Sequence, residues 1–434
     1  MGSLWTEVQL LKPDQNLAPD AHAARSVIAR MIADSPAVSR RDIVEVTGLA
    51  RSTIDGHLQV LFDAGLIEDA GLGGSPTRGR PAQVFRIGTA RGVVLVADVA
   101  VETTRLAIAT LDKNMVDSTE VAIRVDVGPD ELLRALAGEF TALLERNGLG
   151  LGDCLALSVG LPGPVDSHLG FAVRPPLMPG WDGYGVCAFM AQAFGCDVIV
   201  DNDVNLMALG EARALGGEHL PLLMMHLGTG VGAGFVGEDG RLLHGADGAA
   251  ADVGHIQVRG TAEQKNVLCS CGNRGCIEAV ASVPAMAARV SAASSSPVNS
   301  EQLLERLVRG DATTVSTVRE TAALLGRTIA DLVNFCNPAR IVLNGAVTDC
   351  TEDVLAQVRS VVYQQAQPLA TRNLSVVHSR LGSEAGLIGG MISGIEQVLS
   401  PRGIQYHTRS TSSNMLPLGL DPMAQLKVSA RASR

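Results

Sequence analysis

Residues 255–280 read HIQVRGTAEQKNVLCSCGNRGCIEAV. One imidazole, His255, is followed after thirteen residues by Cys269, Cys271 and Cys276, a H-x13-C-x-C-x4-C spacing that offers one nitrogen and three sulfur ligands. Four such ligands make a tetrahedral zinc set with no position open to water, so the ion would hold structure and perform no chemistry. Gly272 and Gly275 let the loop turn tightly enough for three thiolates to face one ion. Arg274 between them favours the thiolate form. The competing reading is three small buried hydrophobes or a disulfide pair; three cysteines within eight residues of a glycine-rich, turn-prone loop do not resemble core packing.

On both sides of this loop, β-rich and α-rich segments alternate. Upstream, VVLVADVA and TRLAIATLD (from Val93 and Thr104) read as a hairpin, DELLRALAGEFTALLERNG as a helix and CLALSVG as a buried strand entering the turn LPGPVD. GVCAFMAQAFG is helical, CDVIVDND a strand and VNLMALGEARALGG a helix. A second round begins at Leu222 with the strand pair LLMMHLGTGVGAGFVG. Past the metal loop follow a long helix ending at Cys336, the strand ARIVLNGAV, a helix near 352–366, the strand SVVHS and a last helix, AGLIGGMISGIEQVL. Two β-rich, helix-covered halves predict a bilobal α/β body over residues 92–400 with a ligand cleft between the lobes. Residues 401–434, rich in Ser, Arg and Pro, read as a disordered tail.

Residues 1–91 are patterned differently. DAHAARSVIARMIAD sets Ala24, Val27, Ile28, Met31 and Ile32 on one helical face behind a possible Asp20 cap. RRDIVEVTG follows Ser39, with Ile43, Val44 and Val46 apolar and Gly48 suited to a left-handed turn. RSTIDGHLQVLFDAGLIED then places Ile54, Leu58, Leu61 and Phe62 on one face. Three helices with a tight glycine turn before the third are the layout of a helix-turn-helix. Arg51, Ser52, Thr53 and His57 occupy the end of the third helix that meets base edges and phosphates in the major groove. The next stretch, GLGGSPTRGRPAQVFRIG, reads as a two-stranded wing with an RGRP tip. Arg78, Arg80, Arg86 and Arg91 meet no acidic residue within 70–91, and extended Arg78 and Arg80 suit a narrow minor groove. The alternative is a helical bundle for protein contacts with a solvated basic loop.

The chain has 434 residues, enough for two or three domains, and 46% hydrophobic but only 3% aromatic content, so its cores are built from Ala, Val, Leu and Ile. Its net charge of −10 is uneven: residues 1–91 carry ten basic and ten acidic side chains, and the remaining 25 basic and 35 acidic residues carry all of it. A neutral head with its cations on one face can bind DNA, and an acidic body weakens non-specific adhesion. Cys154, Cys187, Cys196, Cys336 and Cys350 are scattered singly, as reduced thiols are. With no apolar run of spanning length and no signal-peptide pattern at the start, a cytoplasmic protein without membrane partners is expected.

The run DNDVNLMALGEARALGG, the turn GLPGPVD, the loop LGTGVGAG, the DVGH that ends in the zinc histidine, and CSCGNRGCIE resemble, in this order, the ROK family of repressors, open reading frames and sugar kinases. The resemblance covers roughly residues 93–400, and the winged head resembles that of the family's xylose-type and N-acetylglucosamine-type repressors. It implies an actin-like, ribonuclease H-like fold behind a winged helix-turn-helix. In the family's kinases the cleft holds a hexose through residues that correspond to Asn202, Asp203, Asp252, His255 and Glu278, with Asp203 the general base. Asp252 stands where the family usually has Glu, one methylene longer. ROK kinases open the fold with Asp-x-Gly-Gly-Thr, whose glycines let the backbone approach ATP phosphates. Here the stretch is Asp98-Val99-Ala100-Val101-Glu102-Thr103: both glycines are replaced and Glu102 adds negative charge. The expectation is a sugar sensor that does not use ATP: a repressor of carbohydrate uptake or catabolism genes, binding an operator as a homodimer or homotetramer. The alternatives are a sugar kinase with Asp203 catalytic, and a regulator governed by a protein partner.

Overall fold

The computed structural model describes residues 8–11, 20–73, 82–294 and 296–409. In the head, α1 (Ala21–Ala33) starts where the Asp20 carboxylate accepts from the His22 N–H. A two-residue strand β1 (Val38–Ser39) leads into α2 (Arg40–Thr47), opened by a reciprocal capping box between Ser39 and Asp42 and closed by Gly48 at φ 67°. Helix α3 (Arg51–Asp63) buries Ile54, Leu58 and Leu61, one apolar stripe at helical spacing. Phe62, expected on the apolar face of α3, is 47% exposed, one step past the stripe that Ile54, Leu58 and Leu61 fill, and Val46 of α2 is 48% exposed. Strands β2 (Ile67–Gly73) and β3 (Ala82–Ile87) form the wing, with β1 on the other side of β3. The RGRP tip with Arg78 and Arg80 lies outside the described residues.

The first lobe is a five-stranded sheet. β4 (Val93–Val99), β5 (Thr104–Thr110) and β6 (Met115–Val121) form an antiparallel meander. Helix α4 (Pro129–Arg146), β7 (Cys154–Leu161), the short pair β8 (Val165–Asp166) and β9 (Phe171–Ala172), α5 (Val186–Phe194) and β10 (Asp197–Asn202) complete it. The order β10-β7-β4-β5-β6, with β7 parallel to both neighbours, is the expected ribonuclease H-like arrangement. β6 was not foreseen; its alternating, half-exposed residues MVDSTEV carry too little apolar signal.

Helix α6 (Asp203–Ala214) leads to the second sheet, of β11 (Leu222–Leu227) and β12 (Val231–Val236), antiparallel to each other. Short helices α7 (Ala262–Lys265) and α8 (Ile277–Ala281) bracket the cysteine loop, and α9 (Val283–Ser294) and α10 (Ser300–Val308) follow; neither was expected, although α10 opens on an Asn299–Gln302 capping box and buries Leu303 and Leu307 at helical spacing. The 25-residue α11 (Ala312–Cys336) packs on α13 (Asp353–Gln365). β13 (Arg340–Asn344), α12 (Ala346–Cys350), α14 (Pro368–Thr371) and β14 (Ser375–His378) complete the lobe in the strand order β12-β11-β13-β14.

Helix α15 (Ala385–Val398) returns between the sheets and packs along α6; α6 covers β11 and β12, and α15 covers β4 and β7. Each lobe has its own apolar core, but the head does not. Ile28, Ile32, Ile54 and Leu61 of the head share one cluster with Val94, Leu209, Ile388 and Ile392 of the body. The expected tail needs correction at its start: Pro401–His407 form a helix, α16, capped by Ser400 and packed on α1 and α15. Its buried Ile404 supplies an apolar anchor that the Ser/Arg composition conceals. Residues 410–434 lie outside those described.

Candidate binding cleft and metal centre

The strand β10 ends and α6 begins at Asp201-Asn202-Asp203. Asn202 is the helix cap: its Oδ1 accepts from the N–H groups of Val204 (2.9 Å) and Asn205 (3.2 Å), while its Nδ2 donates to the Gly163 carbonyl at 2.9 Å. The cap thereby fastens the GLPGPVD turn. Buried Asp201 accepts from Asn205 Nδ2 at 2.8 Å and meets His244 Nε2 at 2.7 Å, which raises the His244 pKa. Half-buried Asp203 faces the cleft. Desolvation first, and the nearby Asp98 charge second, push its carboxyl up to about 8. A carboxyl raised in this way keeps its proton to higher pH than a free one and can then donate a hydrogen bond.

His255, Cys269, Cys271 and Cys276 converge, their ligand atoms all within 4.8 Å of one another. The Cys271 and Cys276 sulfurs are 3.7 Å apart, and Cys269 Sγ lies 3.7 Å from His255 Nδ1. A tetrahedron with zinc–sulfur bonds of 2.3 Å has edges of about 3.8 Å, so the donor set fits such an ion. The His255 nitrogen nearest Cys269 Sγ is Nδ1, the one that would hold an ion, and the residue itself lines the cleft. Cys276 stands at the N-cap position of α8, which carries Glu278; that carboxylate accepts from Ser270 Oγ at 3.2 Å and from the Val231 N–H at 3.4 Å.

Between the lobes lies a cleft of about 160 Å³, partly open to solvent, and its lining brings together all five expected sugar ligands, Asn202, Asp203, Asp252, His255 and Glu278. Asp252 is exposed there. His226, unremarked in the apolar strand LLMMHL, also lines it; its Nδ1 lies 2.8 Å from Asn344 Oδ1, and burial lowers its pKa. The GTGVG loop is packed by these side chains: a Cβ on Gly228 would meet His226 Nε2 at 2.6 Å, and one on Gly230 would meet Glu278 Oε2 at 2.8 Å. Across the cleft, Ala100 and Val101 occupy the first turn. Asp98 behind them is 5% exposed and accepts from Arg105 at 2.6 Å, while Arg105 also reaches Glu384 at 3.3 Å.

The ROK family matches residues 95–394. The chain belongs to the ROK family. The xylose repressor of Caldicellulosiruptor bescii is 24% identical over 389 residues, 86% of this chain and 96% of that protein. The glucokinase of Halalkalibacterium halodurans is 29% identical over 308 residues, 68% of this chain and 92% of its own. The crystal structure of a ROK family transcriptional regulator, a homologue of the Escherichia coli MLC protein, superposes with a TM-score of 0.75 at 24% identity, covering 89% of this chain and 98% of the other.

Ahead of the ROK body, Arg51, Ser52 and Thr53 are exposed at the start of α3, and His57 is half-buried with its pKa lowered by desolvation and by Arg25. The wing is braced on the helices: Arg40 pairs with Asp55 at 2.6 Å, donates to Gln83 at 2.7 Å and lies over the Phe85 ring at 4.9 Å. The wing's cations are fewer than the sequence promised. Arg86 is paired with Glu68, an acidic residue just before the interval considered, and half-buried Arg91 lies beside Gly65 at the joint with the body. Among the described residues no helix is long and apolar enough to cross a membrane. Of the residues sequence reasoning passed over, His244 and Arg105 had no local pattern, since each is defined by a partner on another strand.

Proposed function

We propose that this ROK chain is a cytoplasmic, sugar-responsive DNA-binding repressor of carbohydrate uptake or catabolism genes. The carrying observation is extent: the similarity to the xylose repressor spans 86% of the chain, head included, whereas that to the glucokinase spans 68%. In this reading residues 1–91 read DNA through Arg51, Ser52, Thr53, His57, Arg78 and Arg80, and residues 92–400 bind the sugar. Two heads related by a dyad would meet a pseudo-palindromic operator. Asn202, Asp203, Asp252, His255 and Glu278 would hold the sugar hydroxyls. Zinc on His255, Cys269, Cys271 and Cys276 would fix the imidazole and, through Cys276, the carboxylate of Glu278.

The cleft favours sensing over phosphoryl transfer. Asp98 is paired with Arg105, side chains replace the missing glycines at Ala100 and Val101, and the GTGVG glycines Gly228 and Gly230 lie against the side-chain ends of His226 and Glu278. The test combines recovery of genomic DNA by the purified protein, with and without D-xylose, D-glucose and N-acetyl-D-glucosamine, with a coupled ATP assay on the same sugars. Sequence-specific DNA released by a sugar, without turnover, is expected. Turnover abolished by Asp203→Asn would instead identify a kinase.

Two further outcomes are expected. Arg51→Ala weakens operator binding and lowers the salt slope by about one unit if it removes one phosphate contact; filter binding across a salt series measures it, and an unchanged slope excludes Arg51 from the backbone. The raised pKa of Asp203 means that between about pH 5 and 8 the folded state holds a proton the unfolded state lacks, so stability falls as pH rises through that window. Melting curves of Asp203→Asn should be flatter over this range than those of the wild type; parallel curves would contradict the assignment.

A further inference from the structure

The strand β11, LLMMHL, carries one polar side chain, His226, and its surroundings decide which ring nitrogen holds the proton. Asn344 Nδ2 donates to the Gly382 carbonyl at 2.8 Å, and a carbonyl can only accept, so the Asn344 amide is held with its Oδ1 toward the histidine. That oxygen lies 2.8 Å from His226 Nδ1 and likewise only accepts, so Nδ1 carries the proton. Burial, the largest influence, lowers the His226 pKa; the ring is neutral at neutral pH, and Nε2 presents a lone pair. Among the described residues Nε2 has no hydrogen-bond partner. It lies at the foot of the GTGVG loop, where a Cβ on Gly228 would meet it at 2.6 Å, so glycine at 228 leaves this acceptor uncovered in the cleft that His226 lines.

The rest of the cleft is also rich in acceptors. Asp203, Asp252 and Glu278 line it, and among the described residues no lysine or arginine does. Backbone N–H groups that could cradle an anion are already engaged. At the start of α6 those of Val204 and Asn205 donate to Asn202 Oδ1, at 2.9 and 3.2 Å. In the GTGVG loop the Gly228 N–H donates to the Gly230 carbonyl at 2.9 Å, and the Val231 N–H donates to Glu278 Oε2 at 3.4 Å. Arg105, behind the first turn, pairs with Asp98 and Glu384. A phosphate monoester carries a charge of about −1.5 to −2 at neutral pH, and here it would meet three carboxyl groups and a lone pair with no cationic side chain to offset them. A sugar hydroxyl, in contrast, can donate to any of these acceptors.

We propose that His226, oriented by Asn344, is a specificity-determining residue of the cleft: its Nε2 accepts a ligand hydroxyl, and the cleft takes uncharged sugars and rejects their phosphate esters. This rests on the sugar-responsive repressor reading above and names the class of effector that reading leaves open. An uncharged sugar and its ester are the substrate and product of a phosphorylation, so a regulator with this preference responds to sugar that has not yet been phosphorylated. Burying a charge without a partner costs far more than losing one neutral hydrogen bond, so the ester is discriminated more strongly than a sugar that lacks one hydroxyl.

The test is calorimetry on the full chain at about pH 7.5, where a phosphate monoester is close to dianionic. The probes are D-glucose, D-xylose and N-acetyl-D-glucosamine, each beside its phosphate ester at the terminal hydroxyl. The sugar that binds is expected to do so at least about a hundredfold more tightly than its ester. His226→Phe keeps a ring but removes the acceptor, and should weaken the free sugar about tenfold while leaving the ester as weak as before. Thr229→Lys, at an exposed loop residue that lines the cleft, supplies a cation and should narrow the gap between sugar and ester at least about threefold. If His226→Phe fails to fold, as judged by circular dichroism, the wild-type comparison and Thr229→Lys carry the test. An ester that binds as tightly as its sugar overturns this inference and leaves the repressor reading standing. A free-sugar affinity unchanged in His226→Phe, or a gap as wide in Thr229→Lys, also overturns it. If neither sugars nor esters bind, the sugar-responsive reading falls and this inference falls with it.

Discussion

Cys276→Ser is expected to abolish metal binding and, with it, sugar binding. Residues 261–276 bury only Cys269, Gly275 and Cys276, while Leu268 is 64% exposed, so the hairpin has no apolar core to hold it when the ion is lost. Structural zinc contributes apparent binding energies of about 10–16 kcal/mol in small zinc domains, far more than the few backbone hydrogen bonds of this loop. Cys276 is fully buried at the N-cap position of α8, where its side chain makes no capping bond, so its loss opens one corner of the tetrahedron two residues before Glu278. Metal analysis should fall from about one zinc per chain to a trace, consistent with one four-ligand site. Any thermal shift produced by a sugar should vanish. Ser270→Ala, which removes only a hydroxyl bonded to Glu278, should retain the metal. A full-strength zinc signal in Cys276→Ser would refute the ligand assignment.

Gly389→Ala should be among the most destabilising single methyl additions in the chain. The new Cβ would lie 1.7 Å from the Leu206 carbonyl oxygen and 2.5 Å from its carbon, and both neighbours are backbone, so no side chain can swing aside. α6 and α15 must separate, opening the layer that joins both sheets and the head. A cost of about 3 kcal/mol or more is expected, at or above the upper end for overpacked cores. Gly138→Ala in α4 makes the comparison: nothing lies within 4 Å of its Cβ, and replacing an exposed helical glycine should stabilise by about 0.5–1 kcal/mol. Denaturant titration of the two variants should give opposite signs. Equal effects would mean that the helix contact is looser than its geometry.

How much of this could be read in advance depended on how far apart the interacting residues are in sequence. The third helix of the head was legible because Ile54, Leu58 and Leu61 repeat at helical spacing within eight residues. The Asn202 cap is equally local, since it bonds residues two and three further on. The exposed face of α3 was legible too, but the charge of the wing was overcounted, because Arg86 finds Glu68 across the strand pair. The cleft's second tier was not legible. His244 meets Asp201 across 43 residues, His226 meets Asn344 across 118, and nothing near either histidine in the chain announces its partner.

The sequence by itself determined the His/Cys cluster that could hold an ion, the alternation of strands and helices, the winged layout of the head and the lost glycines after β4. Each of these is a local pattern, set by backbone geometry and side-chain spacing over a few turns. Only the tertiary structure decided that the head shares a core with the body, that α16 extends the fold past Ser400, and that, beneath Gln9 and Leu11, Arg213 pairs with Glu396. Those two residues stand 183 positions apart, and a contact at that range exists only once burial has brought the helices together.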